Sequence, residues 1–331
     1  MRIPTLGTFF GFFVLFLVPF LGISFFPAQS AFAEARDADW LQDAQIGVFT
    51  HFLPGSEERF AILERYDAQA VAKQMHELGV KYFVFTIYQN SGFLNAPNTV
   101  YDEITGYAPG QKCSQRDVPM ELADALAPYG IRLILYVTGQ TPNRDAFAQA
   151  KFGLSPAPKD LKLDPEFARK HARVFQCWSD RYGEKVAGWW VDGCYEHCDF
   201  NEEIARIYSQ ALKHGNPHAI VAFNPGVRRP EWRTSDFTAG EINLPFEETV
   251  HSSRTENGQQ CQILTFLGDS WCRPNCRFET DSWVAWVQSV VRNGGAVTLD
   301  AAPNWDPAAG PIGILNPDQA AQIKAIRARV K

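Results

Sequence analysis

Short apolar runs alternate with longer segments of helical period along most of the chain. Seven runs stand out, at residues 46–49, 82–86, 131–137, 186–191, 220–223, 263–266 and 296–299. Each is rich in β-branched or aromatic residues, the pattern of a strand buried on both faces of a parallel sheet. Between them, apolar positions recur with a 3.6-residue period over 67–78, 118–128, 164–181, 202–213, 281–292 and 317–329, which predicts helices. Asp67 is placed to cap the first of these, and Leu122, Ala125 and Leu126 share a face of the second. Alternating strands and helices imply a parallel sheet with right-handed crossovers. The stretch 236–241 offers an eighth strand, so the expected fold is a single-domain α/β (β/α)8 TIM-like barrel, its site at the C-terminal ends of the strands. A doubly wound open sheet is the weaker alternative, since no G-x-G-x-x-G follows the first run. No linker, tandem repeat or low-complexity tract divides residues 40–331.

The first residues read differently. Arg2 precedes a nearly unbroken apolar run over 9–26, and Ala31-Phe32-Ala33 offers a small-x-small cleavage site. This predicts a signal peptide over 1–33, a barrel over 34–331, and a secreted or periplasmic location. A retained anchor is the alternative, because about 18 apolar residues can span a bilayer. Export also bears on the seven cysteines. Cys194/Cys198 and Cys272/Cys276 are C-x3-C pairs, while Cys113, Cys177 and Cys261 are spread out. Disulfides are expected, with at least one cysteine left over, in preference to zinc on Cys194, His197 and Cys198, since no second pair has finger-like spacing. Thirty-one basic against 37 acidic residues give a net charge of −6. With no basic stripe, a nucleic-acid partner is not expected.

A barrel demands polar chemistry just after each apolar run. His51, Gln89 and Asn90, Asp192, Asn224, and Asp300 with Asn304 meet that demand. Asp192 directly follows Trp189-Trp190-Val191, where an ion is costly without a task or a partner. The aromatic neighbours suit the apolar face of a sugar. A strand-end Asp capping the turn at Gly193 is the alternative. Glycosidases need a second carboxylate, and Glu231, Glu241, Glu247 and Glu248 are the candidates. His197 is expected in a loop over the site without a direct catalytic part, Glu57-Glu58-Arg59 in a solvated loop, and Trp283 and Trp286 in the core. Neither a G-x-S-x-G elbow nor an H-E-x-x-H motif is present.

Several segments in order resemble one family. The opening from Trp40 to Phe52, with Ile46-Gly47-Val48-Phe49-Thr50-His51, is similar to the W-x-x-x-K-F-G-[IL]-F-x-H-W-G start of family 29 α-L-fucosidases. Tyr82 to Thr86 with Ser91-Gly92-Phe93 resembles the second-strand segment. Residues 118–130 and Leu133 to Tyr136 resemble the helix and strand that follow it. Trp190-Val191-Asp192-Gly193 resembles the W-x-D-G strand end, residues 236–241 the D-F-x-T-x-E segment, Ser270-Trp271 the S-[WF]-G-Y element, and residues 293–306 the closing stretch.

The resemblance implies a retaining glycosidase with Asp192 as nucleophile and Glu241 as acid/base. It implies sugar contacts from His51, Trp190 and Arg229, the last lying twelve residues before Glu241 as the family's Arg does, with Tyr136 and Trp271 as further contacts. Where the family has two histidines this chain has Gln89 and Asn90, whose amides can still bind hydroxyls. Another branch takes its acid from a later segment, but the comparable Gln259-Gln260-Cys261-Gln262 carries no carboxylate. The expected substrate is a terminal α-L-fucose or a related sugar, with no metal or organic cofactor, and with membrane contact only if the signal segment is retained. The barrel is expected without the β-sandwich that often follows it in that family. The rival expectation is a secreted glycan-binding barrel that has lost turnover. The missing histidines favour the rival, and the presence of both Asp192 and Glu241 favours the enzyme.

Overall fold

The computed structural model describes residues 37–154, 161–227, 229–246 and 251–330, besides Met1. The expected signal peptide lies outside the described residues. Among the described residues there are nine strands: β1 (Ile46–Thr50), β2 (Tyr82–Thr86), β3 (Arg132–Thr138), β4 (Gly188–Asp192), β5 (Ile220–Phe223), β6 (Thr255–Glu256), β7 (Gln259–Gln260), β8 (Gln262–Phe266) and β9 (Ala296–Asp300). β6 and β7 form a short antiparallel ribbon, and Gln260 of β7 also bridges Phe237. The other seven form one parallel sheet in the order β5-β4-β3-β2-β1-β9-β8. These seven are the apolar runs of the sequence, shifted by at most two residues.

The eighth strand is corrected. Among the described residues the parallel sheet has seven strands, curled as in a TIM-like barrel, and residues 236–241 join it only through single bridges. Asp236 N donates to Val221 O at 2.8 Å on the β5 side, and Leu264 N donates to Gly240 O at 2.9 Å on the β8 side. Side chains replace the rest of the ladder. Asp236 Oδ2 accepts from Val221 N, and Thr238 Oγ1 both donates to Gln262 O and accepts from Gln262 N. Gly240 shows why the path is irregular. Its φ is +61°, and a β-carbon there would sit 1.9 Å from Gln262 O.

Ten α-helices accompany the strands among the described residues: α1 (Trp40–Ala44), α2 (Glu57–Ile62), α3 (Ala68–Leu78), α4 (Thr99–Thr105), α5 (Val118–Leu126), α6 (Ala146–Phe152), α7 (Pro165–Tyr182), α8 (Glu202–Leu212), α9 (Thr280–Arg292) and α10 (Pro317–Arg329). The six predicted helices all form. Asp67 caps α3 through Ala70 N at 2.9 Å, and α3 buries Val71, Ala72, Met75 and Leu78 along one face. The charged run Glu57-Glu58-Arg59 belongs to exposed helix α2, capped by Ser56, and not to a loop. None of the described helices is long and apolar enough to cross a membrane.

Strand alternation sorts the core into two clusters. Phe83 and Phe85 of β2 join the helix-facing cluster, which also takes in Trp283 and Trp286, while Tyr82 and Val84 turn to the inner face. Gly47 makes room there, because a β-carbon on it would meet the Tyr82 ring at 2.2 Å. Leu41 and Ala44 of α1 belong to the inner cluster with Phe49, Tyr136, Trp190 and Leu264. Only about 10 Å³ stays free between Phe49, Tyr82, Trp190 and Phe237. The interior is therefore packed, and the usable space lies at the C-terminal strand ends.

Candidate active site

A cavity of about 330 Å³ opens at those ends, within the size range of small-molecule sites. Strand register places its walls. Tyr136 pairs with Trp190 across β3 and β4, and their rings stack at 5.4 Å and 13°. Phe49 from β1 and Trp271 from the loop after β8 complete an aromatic lining. His51, Gln89, Asn90, Tyr136, Trp190, Asp192, Glu241 and Trp271 all line this one cavity, so eight of the nine residues expected from the sequence converge.

Asp192 ends β4 with both oxygens in use. Its Oδ2 accepts from Tyr136 OH at 2.6 Å, and its Oδ1 accepts from Gly193 N at 2.7 Å, Asn224 Nδ2 at 2.8 Å and Tyr195 OH at 3.3 Å. The expected turn-capping bond to Gly193 is thus made as well. Burial and the Asp192 charge push the Tyr136 phenol up, and the Asp192 charge with burial does the same to Tyr195. Both phenols therefore stay protonated and remain donors to the carboxylate.

Glu241 stands opposite. Asn224 Nδ2, which already serves Asp192, also donates to Glu241 Oε2 at 2.5 Å. Gly226 N donates to Asn224 Oδ1 at 3.1 Å, which fixes the amide with its NH2 toward the acids. The two carboxylate oxygens can be no further apart than those two contacts laid end to end. Burial, then repulsion from Asp192, raises the Glu241 pKa to about 6, against the opposing Asn224 bond and His51 charge. The site thus holds two carboxyl groups bridged by one amide, and Glu241 has a raised pKa.

On the β1 side His51 Nδ1 meets Asp300 Oδ1 at 2.8 Å, and Cys272 N donates to Asp300 Oδ2 at 2.8 Å. Burial alone would lower the His51 pKa, but the Asp300 carboxylate, aided by Cys272, lifts it well above the usual histidine range. Gln89 reaches inward too, its Nε2 donating to Tyr136 OH at 2.7 Å.

Several expectations fall elsewhere. Arg229 is exposed and lines a neighbouring cavity of about 510 Å³ with Tyr195, Glu231 and Trp232, not the cavity holding both acids. Glu231 is no second acid of that cavity. Its carboxylate accepts from Ala239 N at 3.1 Å and Gly240 N at 3.0 Å, behind the backbone that carries Glu241. Glu247 and Glu248 lie outside the described residues. His197 is exposed and stacks on Tyr195, and Asn304 pins its own loop through the carbonyls of Asp306, Gly310 and Pro311.

The expected disulfides are also corrected, because all seven cysteines are thiols. Cys113 and Cys194 are buried against backbone carbonyls of Asn98 and Val191, rather than aimed at a second sulfur. Asn224 was visible only as a polar residue after an apolar run. Tyr195 and Cys272 also line the cavity; Tyr195 carried no sequence signal, and Cys272 stood out only as half of a C-x3-C pair.

The alpha-L-fucosidase family model matches residues 57–312. No curated protein matches the chain in sequence. Among solved structures, an endo-fucoidan hydrolase of glycoside hydrolase family 107 superposes with TM-score 0.69 at 14% identity, over 88% of this chain and 53% of the other. This chain thus spans about half of that enzyme. An alpha-L-fucosidase from Paenibacillus thiaminolyticus gives TM-score 0.62 at 16% identity, over 88% of this chain and 74% of the other. The Lactobacillus casei alpha-L-fucosidase AlfC, in complex with its fucose product, gives 0.59 at 14% identity, over 88% and 97%. At these identities the likeness is one of fold.

Proposed function

The chain belongs to the alpha-L-fucosidase family, and from that premise we propose that it is an exported, retaining exo-glycosidase for α-L-fucosides or a related deoxy or pentose sugar. Asp192 is the nucleophile and Glu241 the acid/base. In the first step Asp192 attacks the anomeric carbon while Glu241 gives its proton to the departing glycosidic oxygen. In the second, Glu241 takes a proton from water, whose oxygen displaces Asp192 from the sugar and restores the enzyme. One observation carries the reading: a single amide, Asn224 Nδ2, contacts both carboxylates at 2.8 and 2.5 Å. Retaining enzymes hold their two acids about 5–5.5 Å apart, while inverting ones need about 6.5–9.5 Å to admit water. A raised Glu241 pKa suits a proton donor. The stacked Tyr136 and Trp190 offer faces for a sugar, and His51, Gln89 and Asn90 offer hydroxyl contacts. Export rests on the apolar run over 9–26 and the Ala31-Phe32-Ala33 site.

The test is hydrolysis of 4-nitrophenyl α-L-fucoside, beside a panel of other nitrophenyl sugars, with the product followed by proton NMR from the first turnover. The α-anomer as first product supports retention. The β-anomer refutes it. Binding of a sugar without turnover of any substrate would leave a glycan-binding barrel in place of the enzyme.

A further inference from the structure

We propose that His51, Cys272 and Asp300 form a zinc-binding site in the wall of the catalytic cavity, where metal and sugar exclude each other. An imidazole nitrogen, the thiol sulfur and a carboxylate oxygen of these residues all lie within 4.8 Å of one another. Zinc takes such N, S and O donors at about 2.0–2.3 Å, and in reactive sites keeps a fourth position open. Tetrahedral ligands at those lengths stand about 3.3–3.8 Å apart, so side-chain shifts of about 1 Å close the site. Both His51 and Cys272 line the cavity, and an open fourth position would face it.

The three residues are held in place from behind. Asp300 has a fully buried side chain, and its two oxygens reach His51 and the backbone N of Cys272. Cys272 itself sits at φ +61°, a conformation that residues with a β-carbon rarely adopt and that tends to mark functional positions. Nothing in the proposed glycosidase chemistry uses its thiol. Zinc would bind the thiolate and the neutral imidazole, so Cys272 and His51 each release a proton to solvent and no electrons move. The same metal would occupy the His51 edge that a sugar hydroxyl needs. The donor atoms of His251, Glu256 and Cys261 also lie within 4.8 Å of one another but away from the cavity, and Cys261 serves as the comparison.

Cobalt and zinc titrations of the full chain test the proposal without requiring turnover, so their failure is distinct from failure of the glycosidase reading. Co2+ should give a thiolate charge-transfer band that Zn2+ abolishes, that Cys272→Ser loses and that Cys261→Ser keeps. A missing band, a band that survives Cys272→Ser, or one lost with Cys261→Ser overturns the site. If Cys272→Ser does not fold, the unmutated chain still decides. Zinc at about ten times its Kd should slow iodoacetamide labelling of Cys272 about tenfold, read by mass mapping. Unchanged labelling overturns the proposal. On an active enzyme, Zn2+ should compete with the fucoside while Mg2+ has no effect; inhibition that excess fucoside does not relieve would refute the exclusion.

Discussion

The two proposed acids sit on neighbouring arcs of the wall that are built differently. β1 to β4 and β9 are regular strands in continuous register, and they place His51, Tyr136, Trp190, Asp192 and Asp300. Between β5 and β8 the chain runs through single bridges and side-chain substitutes for the ladder, and this arc places Glu231 and Glu241, the latter held by Asn224 at the end of regular β5. A strand residue inherits its position from the continuous backbone ladders on either side of its strand. A residue on the irregular arc depends on a few named contacts. The regular arc should therefore fail by loss of chemistry, and the irregular arc by loss of positioning.

The largest effect is expected on the regular arc. Asp192→Ala should lower kcat/KM for 4-nitrophenyl α-L-fucoside by on the order of 10^4 or more. Glu241→Gln comes next, at about 10²–10⁴-fold on substrates with poor leaving groups and less on nitrophenyl ones. Wild-type kcat/KM should fall as pH rises through about 6, where Glu241 loses its proton. That alkaline limb should vanish in Glu241→Gln.

Asn224→Ala tests the irregular arc through its hold on Glu241. Its bond favours the ionised acid, so removing it should move the limb to higher pH. A bond to a charged group is worth about 1.5–3 kcal/mol, which predicts about a 10–100-fold loss of kcat/KM. An unmoved limb would mean that the amide does not tune the acid. Glu231→Gln should cost about 1–3 kcal/mol of stability, since one of two backbone N–H groups loses its acceptor. Burial holds the Glu231 pKa up at about 7 against an ordinary 4.5. The folded chain thus binds this proton more tightly than the unfolded chain. The stability of the protonated carboxyl is complete below about 4.5 and fades as pH rises through 7, so the gap to the Gln variant should narrow over that window. Arg229→Ala is expected to matter least, changing kcat/KM on the nitrophenyl substrate by no more than about twofold, as for an ordinary surface position.

The same contrast governs what could be read from the chain beforehand. Apolar runs announce buried strands, so seven strands were legible, and the polar residue after each run pointed to His51, Asp192 and Asn224. The segment 236–241 carries a strand-like pattern too, yet Gly240 at positive φ and the Thr238 hydroxyl divert its backbone. Neither effect has a period. Glu241 was reached through family likeness, not through spacing. Arg229 shows the limit of that route, because an offset of twelve residues through a loop does not carry a place in space. Tyr195 and Cys272 depend on loop paths that only the folded chain defines, and Cys113 and Cys194 lie against carbonyls chosen by tertiary packing.

The amide of Asn224 has a consequence for timing. On the proposed reaction the free enzyme carries one negative charge in the pair, on Asp192, with Glu241 protonated. After the first step Asp192 is an ester and the charge has passed to Glu241. The total never changes, so the one NH2 group faces a constant load while its stronger partner alternates from one side to the other. Esterification also removes the repulsion that had helped to raise the Glu241 pKa. The acid of the first half-reaction thereby becomes the resting base of the second. The site needs no moving part to reset itself, only the bookkeeping of a single charge.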